Sequence, residues 1–302
     1  MLAVVGTVPE DNSGLIIGRA DLSSHRQIEI SNKKIPVNRG TPALLGAMVS
    51  VVNYLNQKTE NKKEVQAFLA GDIGLGRGSF GLYQYLVDNI SAMDLDVIVF
   101  HYLQPDVDWH NKILFQLQAL EKKPVIIADA GFMYAAKMSG LAPSYDLFTP
   151  DAGELAFLAD ETAPHPFYTR GFILHETNKL PDLIARAYNY NNAAKYLLVK
   201  GETDYIAARD GILASVNLPS TDAMEAMGGT GDSLTGTAAA LAGSGYHIAE
   251  AAEIASKVNR VAGQMAEPDP ATQIDRIIDH LPEALEKVIG SRYSNLGKAV
   301  KN

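Results

Sequence analysis

Residues 227–236 read Met-Gly-Gly-Thr-Gly-Asp-Ser-Leu-Thr-Gly, and small apolar residues continue the run to Ala242. Gly228, Gly229 and Gly231 leave a bare backbone just before a helical stretch, with Asp232 next in line. A glycine turn feeding a helix aims unpaired N–H groups and the positive end of the helix dipole at one point, which suits a phosphate. A carboxylate there can accept a proton while the N–H groups hold developing negative charge. Gly229, Thr230, Gly231 and Asp232 are therefore expected at a catalytic centre. The competing reading is a tight turn that merely precedes a helix.

Outward from this turn, short apolar runs recur at residues 2–5, 65–70, 97–100, 124–128, 147–149 and 196–199. They are continuous rather than alternating, as in strands buried on both faces of a parallel sheet. Helical patterns separate them at 42–56, 79–89, 109–120, 152–159, 180–189 and 232–242. Strand–helix alternation predicts an α/β fold of three layers, αβα, with a mostly parallel central sheet and right-handed crossovers. Residues 14–38 break the rhythm: 14–20 and 25–30 read as two strands of a hairpin, a β lid or an ordinary edge hairpin. Residues 160–178 read as an irregular loop or subunit contact. Residues 248–266 read as a helix, and after Pro268 and Pro270 a last helix is expected over 273–289, within a C-terminal helix and tail at 268–302. No repeat or long linker divides the chain, so 1–302 is expected to form a single domain.

The chain has 302 residues, 47% hydrophobic and 20% charged, the profile of a globular protein with an ample core. Its formal charge of −9 argues against nucleic acid as a partner, since phosphate backbones need a basic surface. With no cysteine, disulfides, zinc thiolates and cysteine nucleophiles are excluded. No basic, apolar leader opens the chain, and no apolar run approaches the roughly 18 residues of a membrane span. A cytoplasmic protein without membrane partners is expected.

In open parallel sheets, ligands sit beyond the carboxyl ends of the strands. Phe148-Thr149-Pro150-Asp151-Ala152-Gly153-Glu154 closes one strand and opens a helix. Asp151 and Glu154 can both face the strand-end crevice and suit Mg²⁺; they equally suit a capping box, and the two roles can coexist. Val199-Lys200-Gly201 ends the next strand in a lysine that can neutralise phosphate charge or simply face solvent. Residues 204–211 read as a hairpin with an Asp-Gly turn. Gly71-Asp72-Ile73-Gly74-Leu75-Gly76-Arg77-Gly78 lacks the spacing of a dinucleotide fingerprint, which rejects a Rossmann dehydrogenase. Its Gly74 still permits close approach of a ligand. Asn38-Arg39-Gly40 makes another glycine turn into a helix, and Asp129 is a further strand-end carboxylate; these residues with Gly74 are the expected substrate contacts. The seven histidines are scattered, without ligand spacing, and read as surface or hydrogen-bonded residues. No Gly-x-Ser-x-Gly elbow is present, against a serine hydrolase.

These residues resemble the ribokinase-like superfamily. Gly228–Asp232 is similar to its Gly-x-Gly-Asp anion-hole motif, Asp151-x-x-Glu154 to its Asn-x-x-Glu magnesium motif with Asp in first place, and the early hairpin to its lid. The second half is most similar to the ATP- or ADP-dependent NAD(P)H-hydrate dehydratases: Thr149–Glu154 resembles their Thr-Pro-His-Pro-Gly-Glu, Val199-Lys200-Gly201 their Leu-Lys-Gly, and 228–236 their Gly-Gly-[Thr/Ser]-Gly-Asp-x-Leu-[Ala/Thr]-Gly. The tail at 277–285 resembles the end of those enzymes. The resemblance implies a repair enzyme in which a nucleotide, ATP or ADP, phosphorylates the hydrate hydroxyl, phosphate leaves, and NADH or NADPH is regenerated. Asp232 would be the base and Gly229–Gly231 the cradle of the phosphoryl group. Lys200, Gly201, Gly228 and Asn259 would serve the nucleotide, and Asp151 and Glu154 the Mg²⁺. Two other readings share the site: a small-molecule kinase for a sugar, nucleoside or vitamin precursor, and a nucleotide-binding protein without catalysis. A small-molecule substrate and a homo-oligomer are expected.

Overall fold

A computed structural model describes all residues except 12–13, 24–25, 161–179, 270 and 300–302. At the middle of the sheet lies β1 (Leu2–Val8), flanked by β5 (Val65–Gly71) and β6 (Val97–His101), both parallel to it. Parallel pairing continues through β7 (Val125–Ala128), β8 (Leu147–Phe148) and β9 (Tyr196–Val199). Two antiparallel flanks complete it. On one side stand β10 (Asp204–Ala208) and β11 (Gly211–Val216); on the other, β2 (Leu15–Leu22), β3 (Gln27–Ile30) and β4 (Lys33–Pro36). The 11-stranded order is β11-β10-β9-β8-β7-β6-β1-β5-β2-β3-β4.

Side-chain alternation along β1 sends Leu2 and Val4 to one face and Ala3 and Val5 to the other, into two separate cores. Helices α1 (Thr41–Asn56), α8 (Thr230–Gly243), α9 (Ile248–Ala266) and α10 (Ile274–Ala299) cover the first face. The second is covered by α2 (Arg77–Asn89), α3 (Val107–Ala119), α4 (Gly131–Met138), α5 (Ala152–Ala159) and α6 (Leu180–Asn189). A one-turn helix, α7 (Ala223–Ala226), leads into the glycine turn. Layers on both faces explain why the strands read as nearly continuous apolar runs.

Three details go beyond the sequence reading. The expected hairpin over 14–38 has a third strand, β4, because Ile30 pairs with Lys33 across a two-residue turn in which Ser31 has φ 54. Ser-Asn marks such a turn far less clearly than Asn-Gly. Helix α4, two turns long, is too short for periodicity to announce; Gly131 opens it where a Cβ would lie 1.8 Å from Leu103 O. Helix α10 runs past the expected end to Ala299. The irregular segment expected at 160–178 lies, but for Asp160, outside the described residues, as does residue 25 of the hairpin.

Helix α3 starts at Asp106, whose carboxylate accepts the Trp109 N–H at 3.0 Å. Asp106→Ala leaves that donor without its cap, so a loss of about 1 kcal/mol is expected in urea unfolding, with the midpoint lower and the slope unchanged. Among the described residues no helix is long and apolar enough to cross a membrane.

Candidate active site

The parallel strands end on one side of the sheet, and their last or next residues carry the chemistry. His101 is the last residue of β6, Asp129 follows β7, Thr149 follows β8 and Lys200 follows β9. Helix α8 brings Asp232 to the same place in its first turn, and Gly40, the N-cap of α1, closes the ring. A cavity of about 520 Å³ opens here, lined among others by Tyr102, Asp129, Glu154, Lys200, Thr230 and Asp232.

Asp232 is only 8% exposed. Its Oδ2 accepts the Gly40 N–H at 2.7 Å, and its Oδ1 lies 3.1 Å from His101 Nε2. Burial pushes this carboxyl pKa up, but the hydrogen bond and charge of His101, the Lys200 ammonium and the Gly40 N–H outweigh burial and hold it below the usual carboxylate range. The carboxylate is thus kept ionised. The turn before it is shaped as expected: Gly229 has φ 101, a left-handed backbone that suits glycine, and the first N–H groups of α8 face the cavity end of the helix.

Asp129 is buried and fully engaged. Its Oδ2 accepts Lys200 Nζ at 2.8 Å and the Thr235 hydroxyl at 3.0 Å, and its Oδ1 accepts the Ala130 N–H at 2.9 Å. Burial disfavours the Lys200 charge, yet Asp129 and Glu154 overcome it and raise the ammonium above its ordinary value. A Cβ on Gly231 would sit 3.3 Å from Lys200 Cδ, so the lysine stem lies directly against the bare backbone of the glycine turn. Among the described residues, His101, Asp129 and Asp232 bring one potential metal ligand each within 4.8 Å of one another. Lys200 already supplies the cation there.

Asp151 and Glu154 form a reciprocal capping box at the start of α5. The Glu154 N–H donates to Asp151 Oδ1 and the Asp151 N–H to Glu154 Oε2, both at 2.8 Å. Both side chains also line the cavity. Burial, with Asp129 nearby, pushes the Glu154 carboxyl well above its usual range, and the Tyr134 hydroxyl donates to its Oε1 at 3.2 Å. A pocket that holds back the ionisation of a carboxyl group in this way is one where an added cation is favourable.

The other expected residues fall at varied distances from this centre. Asn259 is buried and lines the cavity; its Nδ2 donates to Thr230 O at 3.1 Å and its Oδ1 accepts the Ser233 hydroxyl at 2.7 Å, clamping the first turn of α8. Gly201 lines the rim, its N–H donating to Asp204 Oδ1 at 3.1 Å. Gly228 is exposed and packs beside Arg39, whose Cδ lies 3.4 Å from its ideal Cβ position. Asn38 and Arg39 are exposed and absent from the cavity lining. Gly74 stands apart, donating its N–H to Asp72 Oδ1 at 3.0 Å in a loop folded around that aspartate.

His101 is not among the residues expected at the site, although it lies at a strand end as surely as Asp129 does. Thr41, Thr235 and Arg260 were likewise unmarked; Arg260 Nε donates to Asp204 Oδ2 at 3.0 Å on the cavity wall.

A three-layer sheet with a small β flap, a glycine turn at a helix N-terminus and an aspartate in that first turn define an enzyme of the ribokinase-like class. The family model described as NAD(P)H-hydrate dehydratase matches residues 31–283, and the chain belongs to that family. An uncharacterized protein of Methanocaldococcus jannaschii is 40% identical over 247 residues, 82% of this chain and 100% of the relative. A bifunctional NAD(P)H-hydrate repair enzyme of Pyrobaculum aerophilum is 32% identical over 177 residues, 58% of this chain but only 32% of that longer protein. Among solved structures, the Bacillus subtilis ADP/ATP-dependent NAD(P)H-hydrate dehydratase co-crystallised with ATP/Mg²⁺ has TM-score 0.55 and 13% identity, covering 95% of this chain and 89% of that one. Staphylococcus aureus pyridoxal kinase, with AMP-PCP and pyridoxal, has TM-score 0.52 and 12% identity over 87% and 88% of the two chains. At such identities the likeness establishes the shared fold.

Proposed function

We propose that the protein repairs hydrated NADH or NADPH by nucleotide-dependent dehydration, with Asp232 as the general base. The observation that carries this reading is the placement of Asp232: buried, held ionised, on the first turn of a glycine-capped helix and facing a cavity of about 520 Å³. When bound, ATP or ADP would pass its terminal phosphoryl group to the hydrate's hydroxyl and leave as ADP or AMP; phosphate would then depart with the C–O bonding pair as the neighbouring ring carbon loses a proton and the double bond is restored, and Mg²⁺ would neutralise phosphate charge. Asp232 takes the proton of that hydroxyl at a carboxylate oxygen. The N–H groups of Gly229–Gly231 hold negative charge as it develops, with Lys200 behind them, fixed by Asp129. Glu154 and Asp151, both on the cavity wall, would hold the metal, consistent with the raised Glu154 carboxyl. Asn259 keeps the glycine turn in shape and Gly201 borders the space for the nucleotide, while Gly228, exposed beside Arg39, serves through the turn it opens. Gly40 orients the base on the acceptor side, while Arg39 and Asn38, outside the cavity lining, would meet only a part of the acceptor that extends beyond it. A single domain spanning the whole chain, a homo-oligomeric state and a cytoplasmic location belong to the same proposal.

The test is incubation with hydrated NADH, Mg²⁺ and either ATP or ADP, following the reduced-nicotinamide absorbance. Recovery of the chromophore with stoichiometric release of phosphate supports repair. A stable phosphorylated alcohol without recovery would make the protein a kinase. Glu154→Gln is expected to raise the Mg²⁺ concentration for half-maximal turnover by roughly tenfold or more, because a neutral amide is a weaker partner for a hard cation. An unchanged Mg²⁺ dependence would remove Glu154 from the metal site.

A further inference from the structure

His101 is 1% exposed, yet both of its ring nitrogens are engaged. Nε2 lies 3.1 Å from Asp232 Oδ1, and Nδ1 lies 3.0 Å from the Thr41 hydroxyl. An ionised carboxylate only accepts, so the Nε2 proton points at Asp232, while Nδ1 accepts the Thr41 O–H when it carries no proton and donates to the Thr41 oxygen when it does. The chain is built around this contact. A Cβ on Gly6 of β1 would fall 2.7 Å from both His101 O and Thr41 Cγ2, so a bare glycine in the central strand is what lets the end of β6 and the start of α1 meet. Tyr102 closes the ring's other side edge-on, with centroids 4.3 Å apart.

We propose that His101 is a positioning residue for Asp232, forming a Thr41–His101–Asp232 relay that fixes the orientation of the base. The Nε2–H on Oδ1 and the Gly40 N–H on Oδ2 together resist rotation of the carboxylate, and each oxygen keeps a further lone pair with which to accept a proton. The arrangement does the work of a buried aspartate that orients a catalytic histidine, with the roles exchanged: the histidine orients the aspartate. The proposal rests on reading Asp232 as the base.

Several other groups bear on the same carboxylate, and all but the Thr41 hydroxyl are constant across the variants needed. Asp129 Oδ2 stands 3.8 Å from His101 Nε2, already paired with Lys200. Glu154 acts through Lys200, the Tyr102 hydroxyl lies within reach of both Asp129 and Asp232 electrostatically, and α1 presents only the Thr41 hydroxyl and the Gly40 N–H. Removing the His101 donor therefore leaves Asp232 buried with fewer partners, and its carboxyl should titrate higher.

The test compares His101→Leu with His101→Gln, whose amide nitrogen can stand near the Nε2 position. In His101→Leu, kcat is expected to fall roughly 10- to 100-fold with the nucleotide KM little changed, and the acid limb of kcat/KM to move up by about one pH unit. In His101→Gln, most of the rate and the original limb should return. The Asp232 carboxyl carbon, assigned by its absence in Asp232→Asn and titrated by NMR without any substrate, should move in parallel. If both variants are equally impaired while the limb and the Asp232 titration stay unchanged, His101 is packing alone and the relay is overturned. Should His101→Leu not fold, Thr41→Val takes its place, with a smaller shift in the same direction expected and none overturning the relay. Full turnover in Asp232→Asn would instead defeat the base assignment, an outcome separate from the carboxyl titration that decides the relay.

Discussion

Asp232→Asn is expected to lower kcat/KM for the hydrated dinucleotide by about 10³-fold, within the range for loss of a positioned general base. Asparagine has the same shape, and its carbonyl oxygen can still accept one of the two donors, His101 or Gly40, that hold the native carboxylate. What it lacks is the capacity to take a proton. Nucleotide affinity, set by the N–H turn and Lys200, should change by no more than a few-fold, and that contrast between rate and binding is the signature to measure. The stability effect has a defined sign. Because the folded pKa of Asp232 is lowered, its ionisation stabilises the native state above the ordinary carboxylate pKa, and this contribution fades as pH falls through the lowered value. The difference in melting temperature between the two proteins should therefore shrink on acidification. Turnover near that of the wild type would remove Asp232 from the chemistry.

Gly236→Ala should be nearly as damaging, for a reason of packing. An added Cβ would lie 2.1 Å from Leu44 O and 3.0 Å from Leu44 C, backbone atoms of α1 that no rotamer change can move. Helices α1 and α8 must separate, at a cost of about 1–3 kcal/mol. The same displacement pulls Asp232, one turn earlier on α8, from the Gly40 N–H it meets at 2.7 Å. A shift of about 1 Å at such a contact can cost 100-fold in rate, so urea unfolding and kcat should fall together. Gly290→Ala, where nothing lies within 4 Å of the new methyl, serves as the control and should be neutral or slightly stabilising. Wild-type stability in Gly236→Ala would show that the two helices have slack.

Much of the fold is legible because burial on both faces leaves a strong mark: the parallel core strands appear in the chain as nearly continuous apolar runs, with Gln66 of β5 the interruption. The anion turn and Asp232 are legible because glycine, aspartate and a following helix coincide within ten residues. Lys200 and Asp129 are visible as strand-end residues, but their ion pair is not, since the two positions are 71 residues apart. His101 is invisible for a similar reason. Its meaning comes from a partner 131 residues away and from the empty space at Gly6, and neither leaves a local pattern. The capping alternative for Asp151 and Glu154 is realised in full, and it coexists with their place on the cavity wall. The short turn at Ser31 and the two-turn helix α4 escape because neither is long enough to impose a period.

Five separate stretches of chain, at residues 40, 101, 129, 200 and 232, meet in one hydrogen-bonded knot. Contacts so remote in sequence form only once the intervening strands have been threaded into order. A nascent polypeptide still lacking its last quarter has neither Asp232 nor the glycine turn, so on the proposed reading it would be inert toward nucleotide however well its earlier strands have assembled. Competence and completion of the tertiary structure would then arrive together.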